Sequence, residues 1–404
     1  MGESSHKSVR TRRVFYIPGY DPIHPRRYRE LYRKEGAAQA AISDYELTLS
    51  AKQGDGPYGW HVNGALEDGE TQADFDVLVW SDIVRDSMEQ GIIATYVQLV
   101  RTAWVYIGTG ALWRLMQLRK GPVIAALYPV LFLLVQLLLA LLAARGIGAL
   151  LTIFLPDWTV WAGLLIVPPL LNWFRKKDNK FFAYYLMHDY AYSAQSRGAD
   201  PKELEARMVE FGDQIAAALQ EDVDEVLVVG HSSGAHLAVS ILADLIRAGR
   251  VSKSGPSLGF LSLGQVVPMV SFLPDAHRLR RDLQFLCQQD VLTWVDVTAP
   301  GDGCAFALCD PVSVSGVAPK SGKRWPLVVS AAFTQTLSPE RWKELRWRFF
   351  RLHFQYLCAF DAPGDYDYFR ITAGPKTLAE RYAMRSPSKS RIEKPVNKFT
   401  GIAG

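Results

Sequence analysis

The stretch Val226-Leu-Val-Val-Gly-His-Ser-Ser-Gly-Ala-His-Leu-Ala238 limits the possible folds of this chain more than any other. Val226 to Val229 is apolar and mostly β-branched, as a buried parallel strand requires, and from Ala235 the apolar residues recur at helical spacing through Leu245. Between them Gly230-His231-Ser232-Ser233-Gly234 has to turn the chain sharply from strand into helix. Only small residues fit such a turn, because the serine sits on strained backbone with its Oγ pushed out above the sheet edge. An inert Gly-rich turn is the plainer reading of the same five residues. A hydrophobic strand just before and an amphipathic helix just after favour the first.

A G-x-S-x-G sequence in this context resembles the nucleophile elbow of the α/β-hydrolase superfamily. The resemblance implies an α/β fold with a mainly parallel sheet flanked by helices, a serine nucleophile, and an acid and a histidine following it in the order Ser, Asp, His. It also implies an oxyanion hole made by the amide after the nucleophile and by one from the turn after an early strand. Here these would be Ser233 and, after the strand Val14 to Ile17, Tyr20 in Pro18-Gly19-Tyr20. Where many esterases carry His-Gly this chain has Pro18-Gly19, and a simple tight turn is the competing reading.

A serine hydroxyl attacks effectively once a histidine takes its proton and a carboxylate holds that histidine's tautomer. The resemblance puts the acid in a loop after a strand downstream of the elbow. Val291 to Val297 reads as such a strand, and Thr298-Ala-Pro-Gly-Asp-Gly-Cys304 follows it, with Asp302 between two glycines. Asp310 and Asp296 stay open as alternatives. Of the eight histidines, the implied chain order leaves His353, in Phe349 to Tyr356. A histidine simply packed among aromatic rings is the alternative there.

The 404 residues are 49% hydrophobic and 21% charged, ordinary for a globular protein, and a net charge of +4 is too small to argue for a nucleic-acid partner. The apolar residues are unevenly spread. Ile92 to Leu118 is amphipathic and mixes Trp104 and Trp113 with Arg101 and Arg114, which suits the headgroup level of a bilayer. Pro122 to Ala144 runs 23 residues without a charge, and a helix rising about 1.5 Å per residue over that length crosses a hydrocarbon core of about 30 Å. A second apolar stretch reaches Phe174, interrupted by Pro156, Asp157, Pro168 and Pro169. It spans either as Leu150 to Trp173, tilted, or as a shorter piece after Asp157. Arg119 and Lys120 before the first span, and Arg175, Lys176, Lys177 and Lys180 after the second, put both ends on the cytoplasmic side. A buried core hairpin and a lid that only touches the bilayer are the other readings.

Met1 to Arg13 is polar and basic, without the apolar core of a secretory signal. Cys287, Cys304, Cys309 and Cys358 form no C-x-x-C pair and have no histidine at zinc-like spacing, so reduced thiols, no metal and no cofactor are expected. Helices are expected at Arg26 to Ala41, Asp200 to Leu219, Ala276 to Cys287, Pro339 to Trp347 and Lys376 to Met384. Strands are expected at Tyr45 to Ser50, Phe75 to Trp80, Leu258 to Leu263 and Pro326 to Ala332, with turn residues from Gly54 to Gly69. Their alternation indicates parallel pairing. The basic tail 385–404 has few apolar residues and is expected to be disordered. The chain thus reads as an α/β-hydrolase-like core, 1–90 and 186–384, interrupted by an amphipathic and transmembrane helical insertion, 91–185. That reading makes it an integral membrane serine hydrolase with its core on the cytoplasmic face. Its partners would be the lipid bilayer and an acyl ester or thioester substrate, cleaved through an acyl-enzyme. Acyl transfer to another acceptor would use the same residues, and a non-catalytic scaffold of the same fold is a reading of a different class.

Overall fold

The computed structural model describes residues 8–52, 56–89 and 91–403, so the first part of the polar start, 1–7, lies outside the described residues. One mixed sheet contains β1 (Thr11–Ile17), β2 (Glu46–Ala51), β3 (Gly59–Leu66), β4 (Gly69–Val77), β5 (Glu225–His231), β6 (Ser257–Leu263), β7 (Thr293–Thr298) and β8 (Leu327–Ser330). Their spatial order is β2-β3-β4-β1-β5-β6-β7-β8. Neighbours are parallel from β4 through β8, whereas β2-β3 and β3-β4 are antiparallel. β1 and β5 lie side by side in the middle with Ile17 opposite Gly230. That register sets the turn after β1 directly against the turn after β5.

Alternate residues of the central strands feed two cores. Phe15, Ile17, Val226, Val228, Phe260 and Trp294 pack with the helices Lys202–Ala218, Gly234–Arg247 and His277–Leu286 on one face. Val14, Tyr16, Leu227, Val229, Leu261 and Val295 pack on the other with the helix Arg26–Ser43 and the segment from Phe333 to Tyr382. A strand covered on both faces must be apolar nearly throughout, and β5 is buried at every position.

β3 corrects the sequence reading, which gives Gly54 to Gly69 to turns; residues 53–55 lie outside the described residues. Trp60, Val62, Gly64 and Leu66 alternate inward along β3, a period-2 pattern whose signal is diluted by glycine and asparagine. The hairpin to β4 closes through Glu67 and Asp68, at φ 53° and 61°, the backbone of a primed two-residue turn. The strand expected at Phe75 to Trp80 starts earlier and ends at Val77.

The amphipathic segment forms two helices, Ile92–Gly108 and Ala111–Leu118, divided at Gly110 with φ 76°. Ile93, Val97, Val100, Trp104 and Ile107 make an exposed apolar stripe on the first, while Leu99 packs with Leu133, Tyr184, Met187 and Ala191. The following helix, Lys120–Leu151, is the one described helix long and apolar enough to cross a membrane, and 28% of its most apolar window is buried. The return limb starts at Asp157, as a 3₁₀ segment Asp157–Ile166 and then the helix Val167–Lys176. The two limbs meet through small residues. A Cβ on Gly163 would collide with backbone at Ala144 and Gly148, and one on Gly148 would collide with Val160.

Residues 385–403 are not the disordered tail that their composition suggests. The Ser388 amide donates to Val328, the Ile392 amide to Leu308, and the Asn397 side chain to the carbonyls of Ser271 and Ser315. Arg114 and Arg280 donate to the carbonyls of Val396 and Gly401. Backbone and arginine hydrogen bonds hold this segment, so its lack of apolar side chains did not decide its fate.

Candidate active site

β5 ends at His231 and the helix Gly234–Arg247 starts three residues later. Ser232 makes the turn at φ 56°, in the left-handed region that side chains rarely adopt. Its amide donates to the Leu263 carbonyl of β6 at 2.9 Å, which holds the strained residue against the neighbouring strand. The flanking glycines are required by close approach. A Cβ on Gly230 would lie 2.8 Å from the Ala235 Cα, and one on Gly234 would run into the Ile17 and Pro18 carbonyls.

The turn Pro18-Gly19-Tyr20 presses against the serine from β1. Trp80 Nε1 donates to the Pro18 carbonyl at 3.0 Å, and the Tyr185 hydroxyl donates to the Tyr20 carbonyl. The Tyr20 ring is enclosed by Trp80, Tyr185 and Tyr192. The amides of Tyr20 and Ser233 donate to no partner among the described residues. Ser233 also occupies the N-cap position of a 14-residue helix without a side-chain capping bond, so the helix's orphan N–H groups and dipole favour negative charge there.

His353 lies at the end of the short helix Phe349–His353. Its Nδ1 stands 2.7 Å from Asp302 Oδ2, and both residues are buried. The Tyr356 hydroxyl donates to the same oxygen at 3.0 Å, and the Cys304 amide donates to Oδ1 at 2.8 Å. Burial pushes the Asp302 carboxyl up, but His353 and these two donors outweigh it and hold the group below its ordinary value. With Nδ1–H committed to the carboxylate, Nε2 is the free acceptor of the ring. A Cβ on Gly264, next to the Leu263 that receives the Ser232 amide, would come 3.0 Å from His353 Cε1. The imidazole and the serine turn therefore share the carboxyl end of β6.

The other two acids do different things. Asp296 lies within β7 and accepts from Ser262 Oγ at 2.6 Å, and desolvation pushes its carboxyl up to about 8. Asp310 accepts from the amides of Val312 and Ser313 and pairs with Lys323.

Two further side chains pack around the Asp302–His353 pair. His231 Nε2–H donates to the His353 carbonyl at 3.1 Å, and the Tyr16 hydroxyl donates to His231 Nδ1 at 3.3 Å. Desolvation holds His231 down to about 3, so it stays neutral. Tyr356 both donates to Asp302 and accepts from the Ala299 amide at 3.0 Å, joining the two ends of the acid loop. The signal for Tyr356 was its place three residues beyond His353; the role of His231 had no local signal. The glycines either side of Asp302 lie beneath aromatic rings. Cβ atoms on Gly301 and Gly303 would come 2.6 Å from Trp342 and 3.0 Å from Phe349.

Among the described residues, Asp302, Cys304 and His353 are also the group whose chemistry could hold a metal, their ligand atoms lying within 4.8 Å of one another. The arrangement does not fit one. Ligands at about 2.1 Å around a tetrahedral ion stand roughly 3.4 Å apart, whereas Nδ1 and Oδ2 are 2.7 Å apart. Burial also pushes the Cys304 thiol far up, away from the thiolate a metal requires. Comparison with protein-family models, curated proteins and solved structures finds no match to this chain.

Proposed function

We propose that this chain is a membrane-anchored serine hydrolase of α/β-hydrolase type that cleaves carboxylic esters or thioesters of lipid-like acyl groups through an acyl-enzyme. The observation that carries the reading is the buried 2.7 Å Asp302–His353 pair at the sheet end where Ser232 is held at φ 56°. Ser232 Oγ attacks the carbonyl while His353 Nε2 takes its proton, and Asp302 holds the tautomer and stabilises the imidazolium. The oxyanion forms against the free amides of Tyr20 and Ser233. His353 then protonates the departing alcohol or thiol, activates a water, and the acyl-enzyme is hydrolysed.

The membrane part of the reading rests on the Lys120–Leu151 helix and its return limb. That limb, ten residues of 3₁₀ and ten of α-helix, extends about 35 Å, enough for a hydrocarbon core. Close packing through Ala144, Gly148 and Gly163 is the way helices associate where lipid removes the hydrophobic drive. Cationic flanks at both ends favour a cytoplasmic core. The long helix starts against the acid loop, where a Cβ on Gly121 would touch Gly303, so the bilayer surface and the site adjoin.

Fluorophosphonate labelling of the detergent-solubilised protein, followed by hydrolysis of esters of graded chain length, tests the proposal. Labelling is expected for the wild type and absent for Ser232→Ala. Labelling that persists in that variant would sink it.

A further inference from the structure

Beside the amides of Tyr20 and Ser233 is a small, part-open cleft whose enclosed space holds little more than one water-sized group, the size of an ammonium head. Tyr20, Trp80, Asp189, Tyr192, Asp200 and His236 line it, Ser233 forms part of its wall, and no lysine or arginine does. Among the described residues the carboxylates of Asp189 and Asp200 have no hydrogen-bond or ion-pair partner. The buried His236 Nδ1 and Tyr192 Oη have none either, although each residue is only 8% exposed. Leaving polar atoms unpaired at such depth is costly, and they call for an occupant.

We infer that this cleft recognises a primary ammonium group on the leaving-group side of the substrate. An ammonium carries three donors and no acceptor, and the cleft offers the two carboxylates and His236 Nδ1 as acceptors. Desolvation holds His236 down to about 4 and so keeps it neutral, and burial pushes Asp189 up to about 7 and Asp200 up to about 6, so a bound cation would draw both back to the ionised form. The faces of Tyr20, Trp80 and Tyr192 add an attraction for cations. A phosphate would meet two carboxylates, and an acyl chain would leave four polar groups dry. The chain has another place to go, because Phe182, Trp347 and Phe349 are exposed at the side where Phe182 meets Phe350, 4.9 Å between ring centroids. The assignment of the cleft to the leaving group rests on the hydrolase reading; the binding of an ammonium does not.

Calorimetric titration of the full-length solubilised protein with ethanolamine and with 1-propanol, which puts a methyl where ethanolamine has its ammonium, separates the two. Ethanolamine is expected to bind wild type and Ser232→Ala equally, with affinity falling about tenfold or more in Asp189→Asn and in Asp200→Asn. Binding of 1-propanol as tight as that of ethanolamine, or unchanged affinity in both asparagine variants, would overturn the inference. Failure of Ser232 to take the fluorophosphonate, with ethanolamine binding intact, would remove the hydrolase reading and leave the ammonium site standing.

Discussion

Gly19 and Ser232 face one another so closely that a Cβ at position 19 would lie 2.9 Å from the serine Cβ and 3.3 Å from its Oγ. The β1–β5 register, Ile17 opposite Gly230, makes this approach unavoidable. Any side chain at 19 must push Ser232 off its position or move the turn that carries the Tyr20 amide. Gly19→Ala should therefore lower kcat/KM by about 10²-fold while leaving the melting temperature within a few degrees. A variant of wild-type activity would show that the turn is not part of the site.

His353→Ala should reduce kcat by roughly 10⁴-fold or more, because nucleophile, base and acid act as a unit. His236→Ala should not copy this, since His236 lies in the cleft wall and not beside Asp302. Equal losses in the two variants would show the base to be misassigned.

Tyr356→Phe removes one of the donors that hold Asp302 low and leaves the Ala299 amide unpaired. Loss of a hydrogen bond to a charged group costs about 1.5–3 kcal/mol, so kcat should fall on the order of 10- to 100-fold. The acid carboxyl should rise, and the acidic limb of the pH–rate profile should move to higher pH. An unmoved limb would make Tyr356 a packing residue only.

Asp296 is raised to about 8 in the folded protein, against about 3.9 in an unfolded chain. Between those values the folded state retains a proton that the unfolded state has released, so stability declines as pH rises, by up to about 1.4 kcal/mol per unit. Above the folded value the loss is complete. Asp296→Asn cannot ionise, so its melting temperature should gain on the wild type from pH 5 to pH 9. Parallel melting curves for the two would refute the ionisation argument.

The two limbs of the apolar hairpin can be tested separately. Gly163→Leu must push the return limb off the backbone at Ala144 and Gly148 and should destabilise the solubilised protein by about 1–3 kcal/mol, whereas Leu131→Ala on the outward face (66% exposed) should change little. For orientation, a cysteine at Phe154 in the tip (86% exposed) in a cysteine-free background should react with a membrane-impermeant thiol reagent on intact cells. One at Gln220 on the core should not. Reaction at Gln220 would reverse the topology, and release by carbonate washing would show that the hairpin does not span.

Much of this chain was decided by local sequence. The strand-turn-helix at Val226 to Ala238, the turn at Pro18-Gly19-Tyr20 and the uncharged helical run from Pro122 to Ala144 each carry their own reason within a few residues, because strand burial, turn sterics and helix propensity act on neighbours in the chain. Only the tertiary structure pairs Asp302, and not Asp296 or Asp310, with His353. All three acids sit in or after β7, and only a contact with His353, 51 residues away, separates them. The same holds for the pairing of His231 and Tyr16 behind His353, for β3, whose inward alternation is legible once β4 is there to pair with it, and for the tail, held by backbone hydrogen bonds that its composition could not announce. A local pattern fixes what a segment can form; a hydrogen bond between segments remote in the chain depends on where every intervening element has packed.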